Sequence, residues 1–148
     1  MMSLTTLDLN DILFDKPVTK RFFLGTYPAC MVPETNKTFY TFITNTHNHD
    51  EPGQHWNAWV VNKDNVFFFD SFGRSPKSLN YEEIIKRYKK ITYTSKCIQG
   101  VDSKACGYFC IHYLYILSLK LPLDFFLSEY SENLLKNGYV VQSIINSI

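Results

Sequence analysis

Residues 108–119, YFCIHYLYILSL, limit what this chain can become more than any other stretch. They are apolar nearly all round and long enough for a helix. Such a helix has no face to offer water, so it must be central and buried, with the other elements packed around it. Pro122 ends the run. A polar loop beginning at Gln99 precedes it, and Cys106 and Gly107 stand at the junction. A cysteine at a helix N-terminus meets the positive end of the macrodipole and outward-pointing backbone N–H groups. Both favour the thiolate, which is the nucleophile, and the N–H groups can hold an oxyanion. Gly107 would let a substrate backbone come close. The plainer alternative for Cys106 is a small core residue at a helix start. His112, inside the run, reads as a core histidine with a satisfied ring rather than a ligand.

A buried helix needs a sheet to lie on. Residues 38–44, TFYTFIT, are β-branched and aromatic and read as a strand. Residues 55–61 and 66–72 read as two strands of a hairpin, with turn chemistry at Asn62, Lys63, Asp64 and Asn65. Pairing Val61 with Val66 sets the register. His55 then lies opposite Phe72, and Asn57 lies opposite Asp70. Strand side chains alternate, so these four share a face and His55 becomes a diagonal neighbour of Asp70. Such neighbours have Cα atoms about 7–8 Å apart, within reach of long side chains. A carboxylate placed there can orient an imidazole; a slip of one residue would destroy the arrangement and leave a surface histidine beside a strand end. Apolar residues fall on both faces of the hairpin, so the sheet is expected to be covered on both sides.

The remaining elements follow from periodicity and breakers. A short helix over residues 7–14, capped by Thr5 or Thr6 and stopped by Pro17, opens the chain. Residues 21–28 are extended. An amphipathic helix is expected over 81–90, with Lys86, Arg87, Lys89 and Lys90 on its solvated face. A strand over 91–98 leads to the Gln99 loop. Asp124 is expected to cap a helical region reaching Lys136, with Gly138 as its C-terminal cap, and a last short helix covers 139–148.

The polar loop 45–54, NTHNHDEPGQ, brings His47, His49, Asp50 and Glu51 close to His55. The residue types suit zinc but the spacing matches no ligand motif, so no metal is expected; a solvated rim beside a cleft fits better. The chain has 148 residues, a formal charge of +1 and four cysteines with no C-x-x-C pair. That suits one domain over residues 1–148 with a real core, and reduced thiols in an intracellular setting. No apolar run reaches membrane-spanning length and the first residues lack a signal-peptide core, so a soluble protein is expected. The near-neutral charge makes no general case for nucleic-acid binding.

His55, Asp70 and Cys106 are the ingredients of nucleophilic catalysis: a thiolate, an imidazole that returns a proton, and an acceptor that fixes the imidazole tautomer. The Cys106 N–H and the Gln99 side-chain amide are candidate oxyanion donors. Four pieces, in order, resemble the adenovirus-type maturation cysteine proteases, an adenain-like group related to the SUMO and ubiquitin-like deconjugating proteases. They are Phe23-Leu24-Gly25-Thr26-Tyr27, Gly53-Gln54-His55-Trp56, Phe69-Asp70-Ser71-Phe72-Gly73, and Gln99-Gly100 through Ser103-Lys104-Ala105-Cys106-Gly107-Tyr108-Phe109-Cys110.

The resemblance implies His55 as base, Asp70 as acidic orienter, Gln99 as oxyanion donor and Cys106 as nucleophile, with substrate contacts at Gly53, Trp56 and Gly107. It implies an α+β fold, papain-like or adenain-like: a mainly antiparallel central sheet flanked by helices, with the nucleophile at the N-terminus of the buried helix. It also implies a viral endopeptidase that cleaves capsid precursors at glycine-containing sites during virion maturation, in the virion and the infected cell. Relatives use an activating peptide, which can be disulfide-linked, and DNA. Here the position near Tyr88 is not cysteine and the net charge is low, so neither cofactor is expected. A monomer with no membrane contact follows from the same reading. The Lys-, Asn- and Ile-rich composition fits a virophage, a Polinton-like element or another DNA virus as source. A deconjugating protease for ubiquitin-like modifiers shares the chemistry, and a silent interaction module or a zinc module would share only the scaffold.

Overall fold

The computed structural model describes residues 3–46 and 55–148. The polar loop with His47, His49, Asp50 and Glu51, and with it Gly53, lies outside them. Thr5 caps α1 (Thr6–Asp15): its hydroxyl accepts from the Asp8 N–H, and the Asp8 carboxylate accepts from the Thr5 N–H. Pro17 then starts a single turn, α2 (Pro17–Lys20).

Five strands form one sheet in chain order: β1 (Phe23–Pro28), β2 (Phe39–Asn45), β3 (Trp56–Asn62), β4 (Asn65–Phe69) and β5 (Lys90–Tyr93). The β3–β4 hairpin has the register set by Val61 opposite Val66. Strand β2 runs antiparallel to β3, but both outer strands, β1 and β5, run parallel to their neighbours. The sheet is therefore mixed, and a mainly antiparallel reading holds only for its centre. The reason is connectivity: α3 (Glu82–Ile85) and the turns around it carry the chain back across the sheet to β5.

Two expectations shift here. The helix foreseen over 81–90 is only α3, because Lys90 already pairs with Asn65 and Ile91 with Val66. The strand foreseen over 91–98 stops at Tyr93, where β4 runs out of partners; Ile98 and Gln99 instead donate their N–H groups to the Ser71 carbonyl.

Both faces of the sheet are covered. Trp59, Val61, Val66 and Phe68 pack with Phe42, Tyr81 and Ile84 on one side. Ala58, Val60 and Phe69 pack on the other against α4 (Cys106–Ser118), together with Leu9 and Leu13 of α1. Phe109, Ile111 and Leu114 of α4 are fully buried; each contributes about 1.5–3 kcal/mol. Beyond α4, Pro122 rather than Asp124 is the N-cap of α5 (Leu123–Leu127). Asn133 caps α6 (Leu134–Ser147) through the Lys136 N–H, so Gly138 lies inside a helix instead of ending one. The Asn137 amide explains the earlier start: buried, it donates to the carbonyls of Ile98 and Ser131, tying α6 to the segment that leads into the Gln99 loop.

Candidate active site

Three separate elements meet at the open end of the hairpin. His55 directly precedes β3, Asp70 directly follows β4, and Cys106 is the first residue of α4. The His55 Nε2 and Asp70 Oδ1 lie 2.5 Å apart. The same imidazole is hydrogen-bonded to the Cys106 side chain. With Nε2 committed to the carboxylate, Nδ1 is the ring nitrogen left for a further partner. One turn along α4 and one residue along β3, the Cys110 thiol donates to the Trp56 carbonyl at 3.3 Å. That contact pins helix to strand beside the reacting pair.

Asp70 is fully buried and accepts from several donors. Asn57 Nδ2 reaches Oδ1 at 2.8 Å, and the Arg74 backbone N–H and Nε each reach Oδ2 at 3.0 Å. Arg74 can fold back because Gly73 turns the chain with φ +79° and donates its N–H to the Asp70 carbonyl; a Cβ at Gly73 would strike the Ser95 carbonyl. The Asn57 amide is itself oriented by Tyr81, whose hydroxyl donates to Oδ1 at 2.7 Å. Burial pushes the Tyr81 phenol far up, so it stays a donor. Register placed Asn57 opposite Asp70; Arg74 and Tyr81 carried no such signal.

These partners set the charges. Burial would raise the Asp70 pKa, but hydrogen bonds from His55 and Arg74 and the positive charge of His55 hold it well below the usual carboxylate range. Burial would lower the His55 pKa; hydrogen bonds and Coulombic attraction from Asp70 and Cys106 outweigh it and raise the pKa. The ring also stacks on Phe72 at 5.2 Å between centroids, and the Arg74 guanidinium covers the Phe72 ring at 5.2 Å.

Gln99 sits beside this group and is nearly fully buried. The Ser71 hydroxyl donates to its Oε1, and its Nε2 donates to the Ser103 carbonyl at 2.8 Å. The amide orientation is thereby fixed, with a second Nε2 hydrogen to offer. The N-cap of α4 is Ala105, with no capping side chain. A capping residue is worth about 1 kcal/mol, so this end forgoes stability and leaves its first-turn N–H groups pointing out of the helix.

Trp56 and Gly107, expected to contact substrate, both lie against the first segment of the chain. Trp56 is buried and its indole N–H donates to the Leu4 carbonyl at 3.0 Å. A Cβ on Gly107 would approach Leu4 Cβ at 3.1 Å and Leu9 Cδ2 at 3.4 Å. Both residues help to seat the chain's own first segment. Among the described residues no group of three or more His, Cys, Asp or Glu side chains is placed to hold a metal, and no helix is long and apolar enough to cross a membrane. Cys110 is fully buried, and burial pushes its thiol far up.

Comparison with known proteins agrees with this arrangement. A sequence model of the adenovirus endoprotease family matches residues 23–145. The protease of bovine adenovirus 2 is 31% identical over 110 residues, 64% of this chain and 54% of its own length. That of human adenovirus D serotype 17 is 31% identical over 122 residues, 69% of this chain and 53% of its own length. The chain thus spans about half the length of the curated relatives it matches. The crystal structure of the ASFV pS273R protease superposes with a TM-score of 0.60 at 14% identity, over 94% of this chain and 66% of that one. At that identity the likeness establishes the shared α+β fold.

Proposed function

The chain belongs to the adenovirus endoprotease family, and from that premise we propose that it is a cysteine endopeptidase that cuts viral precursor polypeptides during virion maturation. Cys106 is the nucleophile, His55 the general base and acid, Asp70 the orienter and Gln99 an oxyanion donor. The observation that carries this reading is one ring with two neighbours of opposite use: His55 lies 2.5 Å from the Asp70 carboxylate, and Cys106 joins Asp70 in raising its pKa against the pull of burial.

The chemistry follows from that ring. His55 Nδ1 takes the Cys106 proton while the sulfur attacks the scissile carbonyl carbon. The developing oxyanion is held by the Cys106 backbone N–H and the second Nε2 hydrogen of Gln99. The imidazolium, stabilised by Asp70, gives its proton to the departing amine, and the C–N bond breaks to leave a thioester. Water, deprotonated by His55, then hydrolyses the thioester and restores the thiol. Glycine next to the scissile bond suits a cleft with a sulfur at the base of a helix end, where a large side chain would block approach.

The test is cleavage of capsid precursors from the protein's own genome. The wild type yields discrete products, and Cys106→Ala lowers the rate by at least about 10⁴-fold. Cys110→Ser, on the same helix, stays within about threefold, since a hydroxyl can also donate to the Trp56 carbonyl. Equal cleavage by wild type and Cys106→Ala would end the proposal.

A further inference from the structure

Asp70 divides its two oxygens between two sets of donors. Oδ1 meets His55 Nε2 at 2.5 Å and Asn57 Nδ2 at 2.8 Å. Oδ2 takes the backbone N–H and the Nε of Arg74, each at 3.0 Å, and Arg74 Nη2 reaches across to Oδ1 at 3.3 Å. A carboxylate is planar, so whatever fixes Oδ2 also fixes the direction from which Oδ1 meets the imidazole. A guanidinium suits that task because its N–H groups form a rigid flat fork that grips both oxygens together. A lysine ammonium brings the same charge as a single point and cannot set the plane.

The same guanidinium supports the imidazole by a second route. It lies over the Phe72 ring at 5.2 Å, and Phe72 stacks on His55 with centroids 5.2 Å apart and planes 27° from parallel. Guanidinium, phenyl and imidazole thus form a stack of three, while the fork holds the carboxylate at the imidazole's edge. The imidazole has two ways to drift, by swinging off Asp70 or by tipping off Phe72, and Arg74 braces the partner in each case. The Arg74 side chain is 44% exposed although Asp70 is fully buried, so the fork has one edge in water.

We propose that Arg74 is a positioning residue of the reaction, acting through Asp70 and Phe72 to hold the His55 ring at the angle from which it serves Cys106. This rests on the protease reading. Because Arg74 acts on the acid and the stack, its loss is felt in turnover more than in substrate binding. The bland role for such a pair, a half-exposed ion pair that adds modestly to stability, predicts the reverse: a weaker fold with unchanged turnover.

The experiment uses the full chain and a synthetic peptide spanning a site that the wild type cuts in the capsid precursors. Arg74→Ala lowers kcat about 10–100-fold and leaves KM within about threefold. Arg74→Lys keeps the charge but stays within about threefold of Arg74→Ala. Because one edge of the vacated place is open, millimolar guanidinium chloride, far below denaturing concentrations, speeds Arg74→Ala about fivefold or more, and sodium chloride at equal strength does not. That rescue also shows that the variant is folded. In an Asp70→Asn background Arg74→Ala costs less than about threefold, since the carboxylate it aligned is gone. Wild-type kcat in Arg74→Ala or in Arg74→Lys, or the full cost of Arg74→Ala persisting in Asp70→Asn, overturns the positioning role and leaves the protease reading standing. Should Arg74→Ala fail to fold, the kcat of Arg74→Lys decides. Failure of the wild type to cut the precursors overturns both.

Discussion

Two histidines lie among the described residues, and their surroundings send them in opposite directions. His112, in mid-α4, is 3% exposed; its Nδ1 lies 2.6 Å from the Tyr130 hydroxyl, and Phe126 packs on its ring. Burial pulls its pKa down to about 4. At His55 burial pulls the same way, yet the pKa rises, because the partner is a carboxylate and the other neighbour a thiol. Burial alone makes an imidazole inert and neutral. A buried charge beside it reverses that pull and favours the protonated ring. The phenol of Tyr130 satisfies a hydrogen bond without supplying charge, so His112 fills space and His55 is equipped for chemistry.

Removing the charge while keeping the shape is the strongest attack on that contrast. Asp70→Asn is expected to lower kcat/KM by about 10³-fold or more, as loss of an orienting carboxylate does. It is also expected to make His55 titrate like His112. With the carboxylate gone, burial prevails and the His55 pKa falls below its wild-type position. NMR titration of the His55 ring reads this directly; a pKa that stays raised in Asp70→Asn would show that Cys106 alone carries the effect.

A smaller effect comes from one residue further back. Asn57→Ala removes one donor to Asp70 and leaves the buried Tyr81 hydroxyl without its acceptor. Loss of orientation should lower kcat about 10–100-fold, while the orphaned hydroxyl destabilises the fold by about 1–3 kcal/mol. A positioning role predicts that kcat falls more than KM rises and that the pH profile shifts with the His55 pKa. A stability loss with unchanged kcat would reduce Asn57 to a packing residue.

How far the sequence revealed this contrast depends on which forces were local. The Val61–Val66 pairing, the turn at 62–65 and strict alternation sufficed to bring His55, Asn57 and Asp70 together, since strand geometry is a rule of period two. The all-round apolar run likewise announced α4 and the buried place of His112. What escaped was decided by tertiary partners. Lys90 looks like the end of a helix until β4 offers it a strand to pair with. Trp56 and Gly107, read as substrate contacts, are engaged by Leu4, far away in the chain. Arg74 and Tyr81 reach the site only through a turn at Gly73 and a packing interface that no pattern encodes. Gly53 lies outside the described residues, so the rim it belongs to adds nothing to either side of the comparison.

The mildest perturbation for turnover separates the two rings by pH instead of rate. His112→Gln is expected to leave kcat/KM within about twofold, because His112 contacts Phe126 and Tyr130 and none of the reacting groups. Its signature is in stability. The folded-state pKa of His112 is about 4 against 6.5 when unfolded. Between those values the unfolded chain binds the extra proton, so stability falls as pH drops from 6.5 to 4, by up to about 3 kcal/mol. His55 has the opposite sign. Its raised pKa gives stability that is full below 6.5 and lost as pH rises through the folded value. Chemical denaturation of wild type and His112→Gln across pH 4–8 should therefore show the variant losing less on the acid side and following the wild type on the alkaline side. Parallel curves on the acid side would mean that His112 already carries its proton in the core, and the contrast between the two rings would fail.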